Sequence, residues 1–368
     1  MARLPSGPMS ASSNAPDSAS PLAKHGGWPT LIGTLLAGHD LDPDAAGAAM
    51  TEILAGDATA AQIAGFVIAL RAKGESSDEL AAMLRVALFE SAAVPLTEAE
   101  RAEAIDVVGT GGDGSHSINV STMAAVVAAG AGVPVCKHGN RSASSKCGTA
   151  DVFELLGVAI EQTPDGVAAC LREAGIAFCF APMFHPAFRF AGPPRREMGV
   201  PTVFNLLGPM ANPGRVKRQL IGVADPDFAR PMAEALRTQG LTSAWVVHGE
   251  GLDELTTTGP SQVLELSGGE ITSFTIDPGR LGLAPADPHD LRGGEPHENA
   301  EFVRRVLAGD AGPHRDVVLL NAAAALVVAG RADDLDAGLH LAAAAIDTGA
   351  AARTLDTFVA VSQDQANR

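Results

Sequence analysis

The chain has 368 residues, 46% of them hydrophobic, and a formal net charge of −17. That length suits two domains or lobes and the composition a globular protein. No apolar run reaches membrane-spanning length, and the acidic balance disfavours a nucleic-acid partner. Cys136, Cys147, Cys170 and Cys179 show neither metal-ligand spacing nor a CxxC pattern, so they read as reduced thiols of a cytoplasmic protein.

Residues 1–26 are rich in Ser, Pro and Ala and lack a basic stretch followed by an apolar one, so they read as a disordered leader rather than a secretory signal. Residues 27–96 read as all-helical. Asp42-Pro43 places an N-cap before a proline at the first helical position, and Gly56 stops that helix. Ile63, Phe66, Val67 and Leu70 repeat the helical period. Ser76-x-x-Glu79 is a capping box before Leu80, Met83, Leu84 and Leu88. Each of these helices shows one apolar stripe, which suits packing on one another and on a partner chain.

From Ile105 the texture changes. Strands are expected at 105–108, 133–136, 176–180, 220–224 and 244–248. Helices are expected between them at 122–130, 149–156, 164–174 and 228–239. Such alternation predicts an α/β fold with a mostly parallel sheet flanked by helices. Val263–Leu266 and Ile271–Thr275, joined through Gly268-Gly269, predict an antiparallel hairpin. Helix returns over 297–361. The stretch 182–213 carries His185, Arg189, Arg195, Arg196 and Asn205 between turns, and is expected to leave the sheet and rejoin the helical part. The expected organisation is a helical lobe over 27–101, with a contribution from about 183–212, and an α/β lobe over 102–182 and 213–368.

The most informative stretch is Asp106-Val107-Val108-Gly109-Thr110-Gly111-Gly112-Asp113-Gly114, leading to Asn119-Val120-Ser121-Thr122. A strand, a glycine-dense loop and a helix start in that order make an anion site, with backbone N–H groups and the helix dipole facing a phosphate. Gly109, Gly111 and Gly114 satisfy G-x-G-x-x-G, but the acid that a dinucleotide fold needs about 20 residues on is missing, and no P-loop occurs. A plain tight turn is the bland alternative. Val133–Cys136 is expected to deliver Lys137-His138-Gly139-Asn140-Arg141 to the same edge, with Lys137 as a point charge for phosphate. Ser144, Ser145 and Lys146 offer further donors. Asp253-Glu254 follows a strand. Its carboxylates suit Mg²⁺ shared with a polyphosphate, although such a pair also fits a solvated loop. His185 and Arg195 fit a carboxylate or an aromatic ring as well as they fit plain surface positions.

Together these segments resemble the anthranilate phosphoribosyltransferase family. The resemblance rests on Gly-Thr-Gly-Gly-Asp-Gly (109–114), Asn-Val-Ser-Thr (119–122), Lys-His-Gly-Asn-Arg (137–141), Gly-Thr-Ala-Asp-Val (148–152), Phe-Asn-Leu-Leu-Gly-Pro (204–209) and Asp253-Glu254. Leu-Arg-Ala-Lys-Gly-Glu (70–75) and Leu-Leu-Asn-Ala-Ala (319–323) add to it, so it covers about residues 28–361. It implies a homodimer formed through the helical lobe. It also implies transfer of phosphoribose from 5-phosphoribosyl 1-pyrophosphate to the amine of anthranilate, with Mg²⁺, in tryptophan synthesis. Carried over by position, Gly109, Gly111, Gly112, Asp113, Ser117, Asn119, Ser121, Thr122, Lys137 and Ser145 would bind the phosphoribosyl donor. Gly109, His138, Asn140, His185, Arg195, Gly208 and Pro209 would bind anthranilate. Ser121, Asp253 and Glu254 would hold the metal. Cys147 departs from the serine or alanine expected there, and Ser115-His116-Ser117-Ile118 from a Thr-Phe segment. A nucleoside phosphorylase shares the implied fold, but the Lys-His-Gly-Asn run and the acidic pair argue against it. A non-catalytic nucleic-acid binder would need a basic face.

Overall fold

Caps written in the sequence start most of the helices. A computed structural model describes residues 21–142 and 146–368. Helix α1 spans Gly27–Leu36. Asp42 accepts from the Asp44 N–H and Pro43 opens α2 (Pro43–Ala55), which Gly56 ends in the left-handed conformation. Thr59 and Gln62 form a capping box for α3 (Ala60–Lys73), and Ser76 and Glu79 form one for α4 (Ser77–Phe89). Helix stops there, earlier than the sequence suggests, and resumes as the short α5 (Glu98–Glu103). The leader reading also ends early: residues 23–25 form a 3₁₀ turn, and Leu22 is only 1% exposed.

The sheet and its helices follow as β1 (Ile105–Gly109), α6 (Val120–Gly130), β2 (Val135–Gly139), α7 (Thr149–Leu155), α8 (Pro164–Ala174) and β3 (Ile176–Phe180). Then come three short helices, α9 (Ala181–Phe184), α10 (Gly192–Met198) and α11 (Val203–Met210). The chain continues through β4 (Arg218–Gly222), α12 (Ala229–Thr238), β5 (Ser243–Gly249), β6 (Ser261–Ser267) and β7 (Glu270–Ile276). It closes with α13 (Pro296–Leu307), α14 (Pro313–Val328), α15 (Leu335–Asp347) and α16 (Ala350–Ala366).

The strand order is β3-β2-β1-β4-β5-β6-β7. The first five strands are parallel, and β6 and β7 continue antiparallel as the expected hairpin. Strand order reverses between β1 and β4, which makes the crevice beyond their carboxyl ends the natural ligand site. Strand β2 lies later than the sequence suggests. Lys137 and His138 pair with Phe178 and Cys179 of β3, so they belong to the strand rather than to the loop after it. Parallel pairing, invisible in local composition, extends the strand through polar residues.

Two apolar cores lie against the sheet. One holds α6, α8, α14 and α16 with Val107 and Leu220. The other joins α2, α3 and α4 to α11, α12, Val108, Ile221 and Val246. The N-terminal helices therefore share a core with residues 191–211 and roof one face of the sheet. Neighbouring positions of β1 and β4 point alternately into these two cores, Val107 and Leu220 into one and Val108 and Ile221 into the other.

Candidate active site

The site forms where β1, β4 and β5 end. Gly111, Gly112 and Gly114 have φ of 66°, 78° and 72°, a region that side chains resist. Gly109 and Gly222 close the strands beside Asp253, where an added Cβ would overlap the Asp253 carboxylate or its carbonyl. The Gly111 N–H donates to Asp253 Oδ2 at 2.6 Å, and the Ser121 N–H, at the start of α6, donates to Glu254 Oε1 at 3.2 Å. Carboxylates thus sit on the loop and helix N–H groups that the sequence assigns to phosphate.

These carboxylates are costly as anions. Burial, and then the Asp113 carboxylate, push the Asp253 carboxyl up to about 7. Glu254 is raised well above the usual range by burial and by Asp253, against the pull of Lys137. Asp113 accepts from the Ser115 N–H at 3.0 Å and from its hydroxyl at 2.7 Å. Ser115 Oγ in turn accepts from the Ser117 N–H at 3.1 Å.

Lys137 corrects the sequence reading. It is 1% exposed, and its ammonium donates to the Val107 carbonyl and, at 3.3 Å, to Ser121 Oγ. Desolvation pulls its pKa down, opposed by Asp106, Glu254 and Asp253. It is a buried counter-charge to the acidic pair, placed in the strand beneath the loop rather than on the surface. Lys146 likewise pairs with Glu295 at 2.8 Å. Ser144 and Ser145 lie outside the described residues.

An Mg²⁺ ion is the group implied here. Two carboxylates at the loop mouth, the Ser121 hydroxyl and a third carboxylate nearby are hard oxygen donors, with one buried cation among them. The residues therefore fit a hard divalent ion. Among the described residues, no group of three or more His, Cys, Asp or Glu is arranged to hold an ion by itself. Such an ion would need oxygens from a ligand as well.

Asn119 precedes α6. Its amide donates to the Cys147 carbonyl at 3.2 Å, while its Oδ1 is buried without a partner among the described residues. Thr122 is buried, with its hydroxyl 3.0 Å from that of Thr149. The other face of β2 carries His138. Its backbone N–H and its ring Nδ1 both meet the buried Asp106, at 3.0 Å and 2.9 Å. That pairing places the ring proton on Nδ1 and leaves Nε2 as an acceptor. From His138 a line of rings runs to His185 (6.5 Å), Phe188 (5.1 Å) and Phe204 (5.6 Å). Arg195 lies 5.3 Å over Phe204, with Nη2 3.5 Å from Asn205 Oδ1. Arg195 has no carboxylate partner among the described residues, and burial lowers its pKa. His185 meets the Ala211 carbonyl through Nε2 at 2.8 Å, and burial pulls its pKa down to about 4. Gly208 faces open space, Pro209 is buried, and Asn140 is exposed with Oδ1 on the Arg141 N–H. The ring line thus joins His138, His185 and Arg195, while no contact among the described residues ties Asn140 to it.

Several supporting residues escaped the sequence reading. Asn321, buried in α14, accepts from the Leu255 N–H at 3.0 Å and donates to the Leu255 carbonyl at 2.8 Å, clamping the chain beside Glu254. The only sign was a polar residue inside an alanine-rich helix. Residues 291–293 brace the glycine loop: the Ile118 N–H donates to the Leu291 carbonyl (2.9 Å) and the Gly293 N–H to that of His116 (2.8 Å). No local signal marks that pairing.

A helical roof, a parallel sheet with its switch-point crevice and an acidic pair over a glycine loop define a class. Residues 29–89 match the glycosyl transferase family helical bundle domain, and residues 101–352 match the glycosyl transferase family a/b domain. A Salinispora arenicola anthranilate phosphoribosyltransferase is 51% identical over 91% of this chain and 96% of its own. The Thermus thermophilus enzyme of that name superposes with a TM-score of 0.84 at 40% identity, over 90% of this chain and 99% of its own. The Saccharomyces cerevisiae enzyme, solved in complex with PRPP and Mg, gives 0.82 at 27% identity, over 92% and 98%. The chain belongs to the anthranilate phosphoribosyltransferase family.

Proposed function

We propose that this chain transfers the phosphoribosyl group of 5-phosphoribosyl 1-pyrophosphate to the amine of anthranilate, releasing pyrophosphate, in tryptophan biosynthesis. The observation that carries this reading is the pairing of two different surfaces at one crevice. Buried carboxylates lie over a glycine loop on one side, and an arginine with no carboxylate partner among the described residues lies on an aromatic line on the other. The first suits a polyphosphate with its cation, the second a planar carboxylate.

In this reading Gly109, Gly111, Gly112, Asp113, Ser117, Asn119, Ser121 and Thr122 hold the donor, and Ser121, Asp253 and Glu254 face Mg²⁺. Bound there, Mg²⁺ would neutralise charge on the departing pyrophosphate. The Gly111 N–H, which meets Asp253 Oδ2, is a donor for which a phosphate oxygen would compete. Lys137 favours the charged form of Glu254 from below, against the effect of burial. Arg195 and Asn140 orient the anthranilate carboxylate, with His138, His185, Gly208 and Pro209 around the ring. The C1–O bond breaks as the C1–N bond forms, and the aniline nitrogen sheds its proton late, so positioning outweighs base strength. Enclosing both substrates between the helical roof and the sheet edge excludes water, which would otherwise hydrolyse the activated ribose.

The same reading includes a homodimer through α1 and α3. Leu36 and Ile68 are 74% and 41% exposed. Gly65 of α3 lies against Ile32 of α1, and Leu36 and Ile68 stand one helical turn further along each helix. No helix among the described residues is long and apolar enough to cross a membrane, and we place the reaction in the cytoplasm. The test is anthranilate fluorescence with the ribosyl donor, with and without Mg²⁺. Loss of signal that needs both substrates and the ion is the expected result. No loss from folded protein would overturn the assignment.

A further inference from the structure

We propose that a basic cleft at the opposite end of the sheet binds a small amphipathic carboxylate. A cavity of about 270 Å³ opens where the end of α4 meets the loop entering β4. Arg85 of α4, and Arg215 and Lys217 of the loop, line it, and no acidic side chain does. None of the three forms an ion pair among the described residues. In a chain of net charge −17, three unpaired cations around one cavity concentrate positive potential against the overall field.

The strand beneath adds a second sign. Ile221 and Val223 fill the core under the helical roof, and Gln219, two residues before Ile221, shares their face of β4. A buried apolar residue would be the ordinary choice there. Gln219 is buried instead, and its Oε1 lacks a partner among the described residues. With no donor holding that oxygen among the described residues, the amide at the cavity wall is free to turn its N–H groups toward an anion.

The loop that carries Arg215 and Lys217 is held in place. Asn212 donates to the Cys136 carbonyl at 2.8 Å and accepts from the Gly214 N–H at 2.8 Å. Arg215 takes φ of 52°, a conformation that costs a non-glycine residue about 1 kcal/mol or more, and its guanidinium donates to the Leu88 carbonyl at 3.2 Å. The Lys217 N–H donates to the Arg101 carbonyl at 2.8 Å. Phe89, 79% exposed, and Leu241 supply an apolar wall beside the charges. Arginines next to an apolar wall recognise a carboxylate carrying a ring or aliphatic body. The catalytic crevice lies beyond Gly222, at the other end of β4, about 13 Å of strand away.

The probe is 4-bromobenzoate, soaked into crystals of the full chain and located by bromine anomalous scattering. The expected result is a bromine peak between Arg85 and Lys217, separate from any peak beside Arg195. In the Arg85→Ala/Lys217→Ala variant the cleft peak should vanish. Calorimetric titration should then lose one equivalent per chain, while anthranilate turnover, which reports an intact fold, stays unchanged. A peak confined to the Arg195 region, no peak at all, or a cleft peak and stoichiometry unchanged in the variant would overturn the proposal.

Discussion

Asp253 and Glu254 show how a residue pair becomes informative only in place. As adjacent acids they fit a solvated loop. In the fold they sit at the switch point, on the Gly111 and Ser121 N–H groups and above Lys137. Replacing them together, Asp253→Asn with Glu254→Gln, should lower kcat by about 100-fold or more and flatten the magnesium titration. A titration that kept its wild-type shape would reject the metal assignment. Arg195→Ala should raise KM for anthranilate by roughly 10- to 100-fold, the worth of charged hydrogen bonds, with KM for the ribosyl donor unmoved. His185 sets an acid limit. Its folded pKa of about 4 lies below the usual histidine value of 6.5, because burial disfavours the imidazolium. A depressed folded value means that its contribution to stability is present above pH 6.5 and is lost as pH falls towards 4. The loss is on the order of 3 kcal/mol. Urea midpoints between pH 7 and 4 should therefore fall more steeply in the wild type than in His185→Gln.

At the scale of elements, the loop after β5 depends on α14. Asn321 satisfies both the N–H and the carbonyl of Leu255. Asn321→Ala would leave both groups unpaired in the core, a cost of about 2–4 kcal/mol. It should also weaken magnesium dependence, because the acidic pair lies one residue away. A urea midpoint unchanged from wild type would show that the clamp is not needed. Strand β2 teaches a related lesson. Its apolar residues announce a strand ending at Cys136, yet pairing with β3 carries it to Gly139. That extension turns Lys137 into the core and gives His138 its Asp106 partner. Capping boxes and Pro-first helix starts were legible because each is complete within four residues. The short helices of 181–210 were not, because α10 and α11 pack on α3 and α4, and α9 places Phe184 in the opposite core, so no local period marks them.

For the whole molecule, the N-terminal helices and residues 191–211 share a core that roofs one sheet face, so closure of the crevice and packing of the roof are one problem. Exposed Leu36 and Ile68 then stand on the outer side of that roof. Leu36→Glu with Ile68→Glu should shift the sedimentation of the full chain from dimer to monomer while preserving its circular dichroism. A wild-type chain that sediments as a monomer would remove the dimer from the proposed function.

The sequence by itself determined the α/β class, the order of most elements, the glycine loop and the identity of the acidic pair. Those features live in short windows of periodicity, capping and turn chemistry. Only the tertiary structure decided that Lys137 is buried under the acidic pair, that Asp106 orients His138, and that Asn321 and residues 291–293 hold the site from distant parts of the chain. Each of these depends on strand order, on which face of a strand a side chain takes, or on pairing across many residues. A local pattern specifies none of them, because the same residues can be placed in either core until the strands on both sides are in place.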